Sequence, residues 1–464
     1  MKKIVSSLLC ALLSVAARAQ APILTVEGGQ IEGVAGDIPG LTVYKGIPYA
    51  APPVGDLRWK QPQPVIPWMS VRKCDTFGAA SLQSDREVGS FYWKEFYQDG
   101  DPMRSEDCLY LNVWTPAAGQ DAKLPVIFWI HGGAFMGGFG YEIEFDGNAY
   151  AKKGVILVTI NYRLGMCGFL AHPLLTKENG GKGSGNYGLF DQLAALKWVK
   201  NNITAFGGDP DNVTVMGQSA GAGSVMSLIS SPLAKGYITR AVIQSGGGLL
   251  RGMSTRSLSD AEQAGKAMWE ASGITTLEEM RACPAEKFEE LRQKYTESNK
   301  GFPYSPCVDG QLLTASTIET ALAGNELDVS YMIGFTSEDM LPTETMQKAA
   351  VDWSLLLEDQ GRTPAYVYCF NRDLPGEDMP ADPSLGTWGD MHGAFHSSEL
   401  WYMFGTLAKC WRPMGYVDYQ LSERMVTYWT NFAKTGNPNG EGVPEWKPCT
   451  KADNHVQTLG VDGL

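Results

Sequence analysis

A chain of 464 residues, 44% hydrophobic and 19% charged, has enough apolar content to bury a large core, which excludes disorder as a description of the whole. Its 38 Lys and Arg against 51 Asp and Glu give a formal charge of −13. No basic run offers the footprint that neutralising phosphates requires, so nucleic acid is excluded as a partner. Length alone, at about 150 residues per domain, suggests roughly three domains.

The chain starts with Lys2 and Lys3, an apolar stretch over residues 4–17, and small residues at Ala17-Arg18-Ala19 and Ala19-Gln20-Ala21. This is the order of a secretory signal peptide. Residues 1–19 are therefore expected to be removed, because a membrane anchor needs about 18 or more apolar residues. No later stretch is apolar enough to span a bilayer, so the expected product is exported, to the periplasm or the extracellular medium. Export permits disulfides among Cys74, Cys108, Cys167, Cys283, Cys307, Cys369, Cys410 and Cys449, but spacing does not choose partners, and no C-x-x-C pair points to zinc or redox chemistry.

Downstream, apolar β-rich runs alternate with helical patterns. Leu124–Ile130 and residues 155–162 lack a polar face and read as strands buried on both sides, as in a sheet covered by helices. Leu189, Leu193, Leu196, Val199 and Ile203 recur at helical spacing and predict one helix. A strand over 213–216, a helix from Ala220, and strands at Arg240–Gln244, 329–333 and 365–370 follow. Alternating strands and helices predict an α/β fold with a mainly parallel sheet. Residues 253–300 are charged and helical in pattern, which predicts an excursion on the surface. Repeats, low-complexity tracts and linkers are absent from the sequence.

Chemistry concentrates at Gly217-Gln218-Ser219-Ala220-Gly221. A serine on a sharp turn between strand and helix has its hydroxyl lifted clear of the sheet, and small neighbours avoid a clash in that turn. The helix N-terminus behind it favours developing negative charge. A base must come from His131, His172, His392, His396 or His455. Donors for an oxyanion are suggested by His131-Gly132-Gly133-Ala134-Phe135, whose glycines let the backbone approach a substrate oxygen.

Several longer motifs accompany these. They are Tyr44-Lys45-Gly46-Ile47-Pro48-Tyr49-Ala50, Ser105-Glu106-Asp107-Cys108-Leu109-Tyr110-Leu111-Asn112-Val113, Asn161-Tyr162-Arg163-Leu164-Gly165, Gly188-Leu189 with Asp191-Gln192, Phe206-Gly207-Gly208-Asp209-Pro210, and residues 428–436. Together they cover nearly the whole mature chain, which resembles the type-B carboxylesterases, with cholinesterase-like and para-nitrobenzyl esterase-like relatives, of the α/β-hydrolase fold. The resemblance implies a large, mostly parallel sheet with helices on both faces, in one domain over residues 20–464. It implies a serine carboxylesterase acting through an acyl-enzyme, with Ser219 as nucleophile, His396 as base and Asp339 as acid. It places the oxyanion hole at the amides of Gly133, Ala134 and Ala220, with Gly132 allowing the turn. His131 is expected to brace that loop.

The resemblance implies no cofactor and no metal. His392 and His396, four apart with Glu399 near, are a conceivable metal cluster, but no Glu follows His392 as zinc proteases require. Many relatives carry Glu at the acid position with Asp just before it. Here Glu338 and Asp339 stand in the opposite order, and Glu338 is the reserve acid. Acid and base are also closer in sequence than in cholinesterases, which predicts a more open pocket. The family's first disulfide joins Cys108 to a cysteine whose place is taken by Ser81, leaving Cys74 as a substitute partner. A catalytically inactive adhesion relative is the alternative function, yet such relatives typically lose the serine, and all three triad positions are filled here. The expected partner is a small-molecule ester, with acetylated sugars, feruloyl or other plant-derived aromatic esters and aliphatic esters all open.

Overall fold

The structure, a computed structural model, describes residues 21–251, 255–270, 272–298, 304–376 and 392–462; the expected signal peptide lies outside them. Ten strands form one sheet: β1 (Val34–Ala35), β2 (Thr42–Pro48), β3 (Tyr110–Thr115), β4 (Leu124–Ile130), β5 (Ile156–Ile160), β6 (Gly208–Gln218), β7 (Arg240–Gln244), β8 (Ser330–Thr336), β9 (Tyr366–Phe370) and β10 (Gln457–Leu459). Their spatial order is β10-β9-β8-β7-β6-β4-β5-β3-β2-β1. Strands β4 to β10 run parallel, and β1 to β3 make an antiparallel edge.

The expected coverage on both faces follows from side-chain alternation. Along β4, Val126, Phe128 and Ile130 enter one core while Ile127 and Trp129 enter a second. The same division separates Ile243 from Val242 and Ile333 from Met332 on the neighbouring strands. Because successive residues point to opposite faces, only a run apolar at every position serves two cores. The first core is closed by helices α1 (Tyr187–Asn202), α2 (Ala220–Ile229) and α6 (Thr343–Asp359), the second by α7 (Tyr416–Thr435). Between α2 and α6 come α3 (Leu258–Glu270), α4 (Leu277–Ala282) and α5 (Lys287–Ser298).

Two family motifs meet inside the first core. Arg163 donates Nε and Nη2 to the two Asp191 oxygens, each at 2.7 Å, with both side chains buried. Such a bidentate pair compensates burial only because both charges are matched. On α1, Gln192 then bonds Ser224 on α2 at 2.9 Å, tying that helix to the one behind Ser219.

Two expectations need correcting. Residues 253–300 are helical where described, but they are not a mere surface excursion. Trp269 on α3 and Phe288 on α5 are buried against Trp59, with ring centroids 6.0 and 5.8 Å from it. The charged residues that dominate the segment's composition lie on its solvent side, as the exposed Lys294–Glu290 pair does, and mask the apolar anchors. Secondly, Cys74 and Cys108 are separate buried thiols, and the eight cysteines among the described residues are unpaired. Ser81 stands against the Cys108 thiol instead, and its hydroxyl also accepts from Leu164 N at 3.0 Å. A hydrogen-bonded contact therefore occupies the place of the family's disulfide. Among the described residues, no helix is long and apolar enough to cross a membrane.

Candidate active site

After β4 the chain passes to β5 on one side, and β6 is laid on the other side of β4. That reversal opens a crevice beyond the carboxyl ends of β4 and β6, the usual binding position in an open α/β sheet. The glycine-rich turn after β4 and Ser219 after β6 both lie at it.

Ser219 adopts φ 58° and ψ −122° between β6 and α2, a conformation costly for a residue with a side chain. The surroundings hold it there: Ser219 N–H donates to Gln244 O at 2.8 Å, and Gly223 N–H to Ser219 O at 3.0 Å. A Cβ on Gly221 would lie 2.1 Å from Ile130 O, and one on Gly217 2.4 Å from Gly221 O. Both glycines of the pentapeptide are thus required by backbone contact across the turn. Ser219 makes no capping bond to α2, which leaves its hydroxyl free at a helix N-terminus.

The loop after β4 lies directly against this turn. A Cβ on Gly132 would come within 3.1 Å of Ser219 Cβ. Gly133, Ala134 and Phe135 all have positive φ, at 101°, 56° and 59°, and Gly133 O accepts from Met136 and Gly137 N–H at 2.9 Å. The loop's amides are turned out of the ladder, and those of Gly133 and Ala134 have no protein acceptor among the described residues. Ala220, first in α2, is likewise without an intrahelical acceptor. As expected, His131 braces the loop: its Nδ1 lies 2.8 Å from Gly132 O and its ring stacks on Tyr162 at 4.5 Å. Burial lowers its pKa to about 4, so it is neutral.

Asp339 and His396 come together from the loops after β8 and β9. His396 Nδ1 lies 2.6 Å from Asp339 Oδ1, and both side chains are buried. Asp339 Oδ1 also accepts from Met340 N–H at 2.8 Å, and Oδ2 from Thr336 N–H at 3.2 Å. Burial raises the Asp339 pKa, but the charge and hydrogen bond of His396, with bonds from Ser245 and Met340, outweigh it and hold the carboxyl below its ordinary range. For His396, burial opposes the charge, while Asp339 and then Glu399 favour it; the balance lies above the ordinary histidine value.

Glu338 does a different job. Its Oε2 accepts from Ala394 N–H at 2.9 Å, its own N–H donates to Ala394 O at 3.2 Å, and an isolated parallel bridge joins it to Phe395. The carboxylate thereby pins the backbone just before His396. Neighbouring residues on an extended segment point to opposite sides, so the two acids cannot both face the imidazole.

Two further residues bear on His396. Gln218 Nε2 lies 3.2 Å from His396 Nε2. With Nδ1–H committed to Asp339, that nitrogen carries the lone pair, and the amide donates to it. Glu399 is fully buried three residues after His396, and neither oxygen meets a well-formed hydrogen bond among the described residues. Burial pushes its pKa up to about 7, against the opposing effect of His396. A cue existed for both: Gln218 sits beside Ser219, and Glu399 stands three residues after His396.

Of the remaining histidines, His172 accepts from Leu174 N–H at 3.1 Å to cap the helix Pro173–Glu178, and His455 contacts Gln457 at 3.2 Å. The predicted openness of the pocket depends on the chain between acid and base, of which residues 377–391 lie outside the described residues.

Comparison with known proteins adds an independent line. The model of the carboxylesterase family matches residues 20–354 and 342–463. Similar proteins include the fumonisin B1 esterase of Sphingopyxis macrogoltabida, 32% identical over 97% of this chain and 88% of that protein. The para-nitrobenzyl esterase of Bacillus subtilis (strain 168) is 34% identical over 91% of each. Among solved structures, a thermophilic PNB esterase superposes with a TM-score of 0.79 at 30% identity, covering 95% of this chain and 96% of that one. A Geobacillus stearothermophilus carboxylesterase at pH 6.2 gives 0.76 at 31% identity, with the same coverage.

Proposed function

Because the chain belongs to the carboxylesterase family and is a carboxylic ester hydrolase of the α/β-hydrolase fold, we propose that Ser219, His396 and Asp339 are its catalytic triad. Gly133, Ala134 and Ala220 supply the oxyanion amides. The observation that carries this reading is the 2.6 Å bond from His396 Nδ1 to Asp339 Oδ1, which fixes the tautomer and leaves the Nε2 lone pair on the nucleophile's side. Residues 20–464 act as one catalytic domain, since strands from Val34 to Leu459 share one sheet, and the N-terminal leader directs it to the periplasm or beyond.

The reaction uses two half-steps. Gln218 gives up its place at His396 Nε2 to the Ser219 hydroxyl. Nε2 takes the Ser219 proton as Oγ bonds the ester carbon, and the carbonyl electrons move to an oxyanion held by the three amides. Asp339 stabilises the imidazolium. The oxyanion collapses, the C–O bond to the alcohol breaks, and His396 passes its proton to the leaving oxygen. Water, deprotonated by the same nitrogen, then releases the acid and restores Ser219. A small-molecule ester, whether acetyl, aromatic or aliphatic, meets these requirements.

The labelling test is direct: a fluorophosphonate should inactivate the protein with one adduct per chain, located on Ser219 by peptide mass. An adduct elsewhere, with Ser219 unmodified, would refute the assignment. The pH profile is a second check. The base must be neutral, and the Asp339 carboxylate raises the His396 pKa. The acid limb of kcat/KM should therefore rise with a midpoint above about 6.5; a midpoint below 6 would contradict the pairing.

A further inference from the structure

We propose that Arg86 makes this pocket selective for esters that carry a carboxylate, a reading that rests on the Ser219 chemistry above. The segment bearing Arg86 touches both loops of the site. Towards the oxyanion loop, Gln83 Oε1 accepts from Gly138 N–H at 2.8 Å and its Nε2 donates to Gly138 O at 3.0 Å. Towards the histidine loop, Phe91 packs edge-on against Phe395 at 4.9 Å, the residue before the catalytic base. Arg86 itself reaches the oxyanion loop: a Cβ on Gly137 would lie 2.8 Å from its Nη2. Gly137 is the residue whose N–H closes the turn on Gly133 O.

The guanidinium is held in place without being neutralised by direct contact. It lies over the rings of Tyr92 and Tyr97, 5.6 and 5.1 Å from their centroids, an arrangement that orients a cation while leaving its charge available. Asp85 and Asp101 are both taken by the Arg104 side chain, and Asp101 also accepts from the Arg86 backbone N–H at 3.4 Å. No carboxylate among the described residues pairs with Arg86, and its Nε has no acceptor. The closest countercharge, Glu142, is one hydroxyl away, through Tyr97 OH, which donates to Glu142 Oε1 at 2.9 Å and receives from Arg86. Burial pushes up the carboxyls of Glu142 and of Glu144 beside it. A guanidinium oriented by two rings beside an oxyanion loop suits capture of a planar carboxylate.

The anionic group can sit on either side of the scissile bond, and two matched ester pairs separate the cases. On the acyl side, 4-nitrophenyl hydrogen glutarate is compared with 4-nitrophenyl valerate; on the alcohol side, 4-acetoxybenzoate with phenyl acetate. The kcat/KM ratio of charged to neutral ester should fall at least about tenfold in Arg86→Gln for one of the pairs, mainly through KM. Arg86→Lys should retain part of the preference, and added salt should lower the ratio in the wild-type and Arg86→Lys proteins but not in Arg86→Gln. Unchanged ratios in both pairs, or equal losses on charged and neutral esters in both variants, would overturn the proposal. Wild-type protein that hydrolyses none of the four esters would instead count against the catalytic reading of Ser219.

Discussion

Ser219→Ala is expected to lower kcat for p-nitrophenyl acetate by about six orders of magnitude, the size of effect seen when a serine nucleophile is removed from an assembled triad. The structure isolates the change to the hydroxyl. Ser219 already occupies its φ 58° conformation with a Cβ, so alanine adds no backbone strain, and the bonds holding the turn involve only Ser219 N and O. The variant should match the wild-type circular dichroism and melting temperature. Residual rate above the uncatalysed reaction would come from the oxyanion amides and from binding. Full activity in the folded variant would remove Ser219 from the mechanism.

Asp339→Asn should cost about 10⁴-fold in kcat, the penalty expected when the acid of such a triad can no longer hold the imidazole in its productive tautomer. Glu338→Gln should stay within about tenfold, because a glutamine oxygen can still accept from Ala394 N–H and keep the histidine loop in register. Measured side by side on one ester, the two variants test the assignment of adjacent acids. A larger loss in Glu338→Gln would transfer the role to that residue. The expected order follows from what each carboxylate touches: imidazole in one case, backbone in the other.

The parts of the fold most legible in the sequence are those where one physical demand dominates. β4 and β7 are found at their expected bounds because a strand sandwiched between two cores is apolar at its central positions. The stripe from Leu189 to Ile203 marks α1, though burial also extends to Phe190, Asp191 and Gln192. Those polar residues are hidden from a hydrophobic pattern because their partners, Arg163 and Ser224, are distant in sequence. The same limit explains Ser81 against Cys108 and the buried anchors of α3 and α5. At the site, Ser219, Asp339 and His396 stand in motifs, so each is legible in the sequence. Gln218 at the imidazole and Glu338 on the backbone depend on which way side chains leave their loops, and no motif records that.

The sheet also sets the scale of the site. Ser219 follows β6 and Asp339 follows β8, and the register aligns Gln218 with Gln244 of β7 and Gln244 with Gly334 of β8. The strands that lead to Ser219 and to Asp339 are therefore two steps apart, roughly 10 Å at the usual spacing, and in the proposed triad the imidazole works across that interval. In this sense β7 is a spacer: it supplies none of the proposed triad yet sets the interval between the two strands that carry Ser219 and Asp339. A change in twist between β6 and β8, produced by overpacking beside Val242 or Ile243, would alter the reach required of the histidine without touching any reacting group.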